Sequence, residues 1–287
     1  MAHFKKPKLT NQRLEQYAQY VAANPLTNKG QWRLLYPEAK TLHVDLGCGK
    51  GLWTTRAASS LPEDLFIGFD REPMCVSMGA EKAGNQKLPN VFFALDSAQY
   101  VHNNFAEGEI DVLHINFPTP YPKKKEAHNR IVEGTWLMNY RACLGETGVI
   151  QLKTDSQPLF DFALEQLAHT GYEILWQTRD LHNSSQKNEW LNKLAYTTSA
   201  YEEKLIDRGA LVYALCAKPG PVPQNWEPKP AVSLVDYLPE DLESITYIPY
   251  GMEGTVINMR NRKRNAQEKA ARHKKQETTD ERVAHHE

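Results

Sequence analysis

Residues 41–218 alternate short apolar runs with longer helix-like stretches, and this alternation limits the fold more strictly than any other feature of the chain. "TLHVDLG", "LFIGFD", "VFFAL", "IDVLHIN" and "GVIQLKTD" are near-continuous apolar runs, each closed by a glycine, an aspartate or an asparagine. Runs of that kind read as strands buried on both faces. The stretches around 52–60, 73–84, 97–105, 131–144 and 157–169 can hold helices. "YEILWQT" and "LVYALCAK" add two strands, separated by a long insert. Strand–helix alternation of this length predicts an α/β fold with a doubly wound, mostly parallel open sheet. Ligands of such sheets sit at the carboxyl ends of the strands.

The flanks read differently. The 287 residues suffice for one large domain, or one domain with an appendage. Residues 1–34 form a basic N-terminal arm, with Lys5, Lys6, Lys8, Arg13 and Lys29 against Glu15. Residues 35–218 form the α/β domain. Residues 219–257 are proline-rich at first (Pro219, Pro221, Pro223, Pro228, Pro230, Pro239) and read as a linker or an extended covering strap. Residues 258–287 read as a basic, flexible tail. Within it, 258–275 carry eight Lys and Arg against Glu268, and the central apolar residues are alanines, so no stripe can dock on a core.

The formal net charge of -1 hides this asymmetry. Residues 258–287 hold 9 Lys and Arg against 5 Asp and Glu, which leaves 25 against 30, or -5, for residues 1–257. A nucleic acid would have to meet local basic patches. No apolar run approaches the roughly 18 residues of a membrane span, and the basic N-terminus lacks the apolar core of a signal peptide. Cys48, Cys75, Cys143 and Cys216 make no CxxC. Their scatter argues against a zinc knuckle or a disulfide framework and suits a reducing cytoplasm. No metal and no membrane partner are expected.

The first strand runs into "VDLGCGKGLW", with Asp45 followed by Gly47, Gly49 and Gly51. A dinucleotide fingerprint would need a further glycine where Leu52 stands. It would also set a pyrophosphate over the helix N-terminus, where the Asp45 carboxylate would repel it. A ligand that bears cations suits Asp45 better. S-adenosylmethionine has an ammonium, a sulfonium and no phosphate, and glycines let the backbone approach it closely. Asp70 ends the second strand, placed to take both ribose hydroxyls. Asp96, with Ser97 after it, ends the third, where a carboxylate accepts from an adenine amino group. A plain turn at the glycines, and solvated acids or helix N-caps at the strand ends, are the alternatives.

The fourth strand ends in Asn116-Phe117-Pro118-Thr119-Pro120-Tyr121-Pro122-Lys123-Lys124. The prolines fix φ and remove donors, so the loop cannot add to the sheet. It stays open beside the methyl position, with Asn116 on the cofactor side and Pro118 and Tyr121 on the substrate side. Rigidity there lowers the entropic cost of orienting a planar base, and Lys123 and Lys124 beyond it suit phosphates. A proline-stiffened surface loop is the alternative.

With these motifs the sequence resembles the bacterial tRNA (guanine-N7)-methyltransferase family, the TrmB type. That family carries an acid with GxGxG after strand one, N-x-P-D-P-W-P-K-K after strand four, Lys-Thr-Asp after strand five and T-x-x-E near the C-terminal strands. Here these read Asp45 with its glycines, Asn116 to Lys124, Lys153-Thr154-Asp155, and Ser199 with Glu202. The resemblance covers roughly 35–218. It implies a seven-stranded class I (Rossmann-like) methyltransferase, S-adenosylmethionine as donor, and a guanine of tRNA as acceptor, in a monomer or homodimer. Thr154 and Ser199 fall on the substrate side, and Asp155 and Glu202 are placed to accept from guanine N1–H and the exocyclic amine.

Two departures stand out: Thr119 where the family has aspartate and Tyr121 where it has tryptophan. Guanine N7 has a lone pair and no proton, so alkylation needs no general base. Activity is therefore expected, with Thr119 and Asp155 at the chemistry. A class I methyltransferase with another substrate, or a catalytically weak RNA-binding homologue, remain open.

Overall fold

A computed structural model of the chain describes residues 7–145, 147–183, 194–245, 247–249 and 251–284, the last twelve as backbone alone. Lys5 and Lys6 of the expected arm lie outside the described residues. Eight strands form one sheet: β1 Val21–Ala22, β2 Leu42–Leu46, β3 Leu65–Asp70, β4 Val91–Leu95, β5 Val112–Asn116, β6 Val149–Thr154, β7 Tyr172–Thr178 and β8 Tyr213–Pro219. Their order is β1-β4-β3-β2-β5-β6-β8-β7. All pairs are parallel except those of β8, which runs antiparallel to β6 and β7. This is the class I methyltransferase arrangement plus one short edge strand, β1. The order reverses between β2 and β5, which pair with Asp45 opposite His114. That reversal is where a doubly wound sheet opens a crevice.

The N-terminal arm is built into the domain from residue 7. α1 (Pro7–Gln16) lies on α3 (Pro73–Gln86), with Arg13 2.8 Å from Glu81. Trp32 is fully buried and stacks on Phe105 at 5.1 Å. Its indole nitrogen donates at 2.8 Å to the carbonyl of Asn104, the last residue of the short helix α4 (Val101–Asn104).

Alternate strand residues feed two cores, as period-2 geometry requires. Phe66, Val91 and Phe93 face α2 (Leu52–Ser60) and α3. Val44, Leu46, Ile67, Phe69, Leu113, Ile115, Ile150 and Leu152 pack under α5 (Gly134–Leu144) and α6 (Gln157–His169). α6 starts where Ser156 accepts a hydrogen bond from the Leu159 amide, with a proline in the first turn.

The proline-rich segment is a strap rather than a free linker. The His169 ring lies 2.8 Å from the Glu227 carbonyl, and Lys229 pairs with Glu165 at 2.5 Å. The Ser233 hydroxyl and the Leu234 amide both donate to the Pro122 carbonyl at 3.0 Å. Among the described residues two α-helices follow α6: α7 (Ala200–Asp207), which lies before β8, and α8 (Glu253–Ala284), which makes the tail helical to residue 284. Met252, Val256 and Arg260 fix the start of α8, Arg260 by donating to the Leu242 and Ile245 carbonyls, while residues 261–272 are exposed.

Candidate functional site

β2 hands the chain to a turn whose Gly47 and Cys48 amides donate to the Phe69 carbonyl at 2.8 and 2.9 Å. Gly47 and Gly49 have φ of +74° and +54°, and a Cβ on either would meet nothing within 4 Å. Their bare backbone forms the floor of a cleft. Gly51 serves packing instead. A Cβ there would lie 2.6 Å from the Gly79 Cα, so its absence lets α2 and α3 close together behind the cleft.

Asp45 is 2% exposed; the Thr54 hydroxyl donates to it at 2.7 Å and the Asn116 amide at 3.2 Å. Burial pushes its carboxyl up to about 6. Asp70 accepts from the Gly49 amide on one oxygen and the Glu72 amide on the other, each at 2.9 Å. Two of its roughly four acceptor positions remain for a ligand. Burial raises its pKa.

Asp96, expected at the adenine, lies off both cavity walls. Its oxygens accept from the Ser97 amide at 2.7 Å and the Asn104 side chain at 2.6 Å. It fixes the turn, and Ser97, Ala98 and Gln99 themselves reach the cavity wall.

The loop after β5 is strained and held at both ends. Phe117 and Tyr121 have φ of +51° and +46°, left-handed values that aromatic residues rarely adopt. The Phe117 amide donates to the Lys153 carbonyl at 2.7 Å. Arg130, fully buried, donates to the Tyr121 carbonyl at 3.1 and 2.9 Å. The strap holds Pro122 from behind. Such over-determined strain is a mark of preorganised sites.

Two cavities flank this loop. One of about 230 Å³ is lined by Asp70, Ser97 to Gln99 and Tyr121. The other, about 430 Å³, is lined by Asp45, Gly49, Trp53, Asp155, Ser199 and Tyr201. Gly47, Asn116, Phe117, Pro118 and Thr119 belong to both walls, with Thr119 exposed between them.

On the substrate side the expected residues separate, and Tyr121 lines the smaller cavity with Asp70 instead. Asp155 is on the wall, and Ser199 lines it too while capping α7 through the Glu202 amide. Thr154 is fully buried and accepts from the Ser156 amide at 3.1 Å, so it shapes the turn. Glu202 also departs from the expectation. It is fully buried, 2.6 Å from the Lys153 ammonium and 3.1 Å from His182. Its carboxylate is committed to a buried ion pair; burial lowers the Lys153 pKa and Glu202 opposes this. Lys123 and Lys124 are exposed beyond the loop and off both cavity walls.

Four residues of the site escape a reading of the sequence. Lys153 stands out there only as the first member of a motif, and Arg130 has no feature of its own. Tyr201 lines the larger cavity and donates to Asp155 at 3.1 Å, and Tyr247 of the strap donates to the same oxygen at 2.6 Å. Arg130, Tyr201 and Tyr247 carry no local signal, because each is marked only by its contact with a residue 9, 46 or 92 positions away.

Comparison with known proteins accords with this geometry. The model of the family described as "Putative methyltransferase" matches residues 39–215. The tRNA (guanine-N(7)-)-methyltransferase of Bacillus cytotoxicus is 31% identical over 206 residues, 72% of this chain and 92% of the relative. That of Streptococcus mutans is 31% identical over 214 residues, 75% and 98%. Among solved structures, the 16S rRNA methyltransferase KamB shares the fold at 16% identity, with a TM-score of 0.51 over 67% of this chain and 94% of that one. The strap and α8 lie beyond the matched domain. The chain belongs to the tRNA (guanine-N7)-methyltransferase family.

Proposed function

We propose that this chain transfers a methyl group from S-adenosylmethionine to N7 of a guanine in tRNA, in the cytoplasm where tRNA is found. One observation carries the reading beyond family membership: the strip Asn116–Thr119 is a wall of both cavities. A donor that reaches from Asp70 to Asp45 passes along that strip from the smaller cavity into the larger, where Asp155 lies.

The residues fit such a donor. Gly47 and Gly49 leave open space where side chains would stand, and Asp70 keeps two acceptor positions. Asp45, with the glycine backbone, suits the ammonium end, Asp70 the ribose, and Ser97 to Gln99 the base. When bound, S-adenosylmethionine supplies an electrophilic methyl on a sulfonium.

What the chain must then provide is orientation. Guanine N7 presents a lone pair and gives up no proton, so no residue needs to act as a base. Holding N7 in line lowers the barrier by up to roughly 7–11 kcal/mol. The strained loop, pinned by Arg130 and the strap, provides a surface that does not have to order on binding. Asp155 accepts from the guanine Watson–Crick edge. Thr119 offers one hydrogen bond and no charge. Lys123, Lys124 and the exposed cations of α8 follow phosphates. Nucleoside analysis of unmodified tRNA incubated with enzyme and donor tests the reading: 7-methylguanosine is expected, and another methylated nucleoside would assign a different acceptor. A chain that binds donor and tRNA without transfer is the weak, RNA-binding alternative.

A further inference from the structure

The acid on the substrate side is restrained from outside the matched domain. Asp155 is 8% exposed, and both of its side-chain partners are tyrosine hydroxyls: Tyr201 of α7 at 3.1 Å and Tyr247 of the strap at 2.6 Å. Both donate to Oδ2. A carboxylate oxygen has two lone pairs, so two donors saturate it. Among the described residues none donates to Oδ1, and Asp155 lies on the wall of the larger cavity.

Tyr247 is half-buried. It sits between the turn Leu242–Ser244 and the start of α8, which Arg260 and Met252 anchor. Burial and the neighbouring Asp155 carboxylate both raise its phenol pKa, which keeps it a donor at neutral pH.

We propose that Tyr247 is a positioning residue for substrate recognition: with Tyr201 it saturates Asp155 Oδ2 and turns Oδ1 toward the substrate, so that Asp155 accepts a single N–H of the guanine edge. This rests on the function proposed above. It replaces the two-oxygen grip a free carboxylate would make, and it makes the strap a part of recognition. The same strap holds Pro122 through Ser233 and Leu234, so one segment sets both the base-presenting loop and the acid opposite it.

The test is a double-mutant cycle with Tyr247→Phe and Asp155→Asn, read by single-turnover methylation of a tRNA transcript over a range of tRNA concentrations. Tyr247→Phe keeps the ring and removes the donor. It is expected to raise the half-saturating tRNA concentration roughly tenfold, with donor affinity and melting midpoint unchanged. In the Asp155→Asn background the same change is expected to have little further effect.

Equal behaviour of Tyr247→Phe and wild type overturns the proposal. So does an equal loss in both backgrounds, which marks a structural role. If Tyr247→Phe does not fold, Tyr201→Phe takes its place, with the same coupling expected and additivity again contrary. A wild-type protein that binds donor yet methylates no tRNA removes the proposed function, and this proposal with it.

Discussion

Asp45 carries a titration that any cationic ligand must meet. Burial holds its carboxyl at about 6 against an ordinary 3.8. The stability contribution of this raised pKa is fully present below 3.8 and is lost as pH rises through about 6. A ligand ammonium has the opposite preference, since it favours the ionised acid. Donor affinity is thus expected to be flat above about pH 7 and to fall toward tenfold per unit below about pH 6. Lys153 nearby favours ionisation, whereas Asp70 opposes it and, with its own pKa raised by burial, adds to the acid-side loss. Titration calorimetry across that range checks this; an affinity that ignores pH would remove Asp45 from the ligand.

Thr119 is the other residue with a sharp expectation. It is exposed and lies on both cavity walls. Thr119→Asp would place a negative charge beside a base that becomes cationic, at little desolvation cost. Help of that kind acts in the transition state, so kcat is expected to rise several-fold, with the half-saturating tRNA concentration changing less. An unchanged single-turnover rate would show that position 119 does not face the reacting atoms.

At the scale of elements, β2 to β6 were legible because strands buried on both faces leave no choice of pattern; β7, largely exposed, was read from its apolar run, and α7 was hidden in the insert. β1 was not legible, since two residues carry no period. Nor was the strap, whose anchors include backbone carbonyls: Glu227 toward His169, Pro122 toward Ser233 and Leu234. Carbonyls have no side-chain signature. Strand-end acids look alike in sequence; the structure sets Asp70 on a cavity wall and Asp96 off both walls, and it pairs Glu202 of α7 with Lys153, 49 positions away. The N-terminal arm was read by its charge, but Trp32 is what joins it to the core. Trp32→Ala is expected to destabilise by about 3–5 kcal/mol, visible as a lower denaturant midpoint. A loss under about 1 kcal/mol would mean that Trp32 is not what anchors the arm.

The whole molecule divides its charge between a body of -5 and a basic helix. Among its residues with described side chains α8 docks by its first turns, and the exposed cations Arg262, Arg264, Lys269 and Arg272 lie beyond the matched domain. Replacing Arg262, Arg264, Lys269 and Arg272 by glutamine keeps the Arg260 anchor and takes away four exposed cations and no acid. The slope of log affinity for tRNA against log salt is expected to shrink, by roughly 0.7–0.9 for each phosphate that is no longer neutralised. An identical slope would make the helix a solvated appendage.

The central claim is that guanine N7 is the acceptor, and replacing that atom tests it most directly. Two tRNA transcripts, one with guanosine and one with 7-deazaguanosine throughout, differ in that N7 is a nitrogen with a lone pair in the first and a C–H in the second. Methyl transfer to the guanosine transcript, and none to the 7-deaza transcript under conditions where both bind, is the expected result. Equal transfer to both transcripts, or transfer to neither by a protein that binds donor and tRNA, would contradict it.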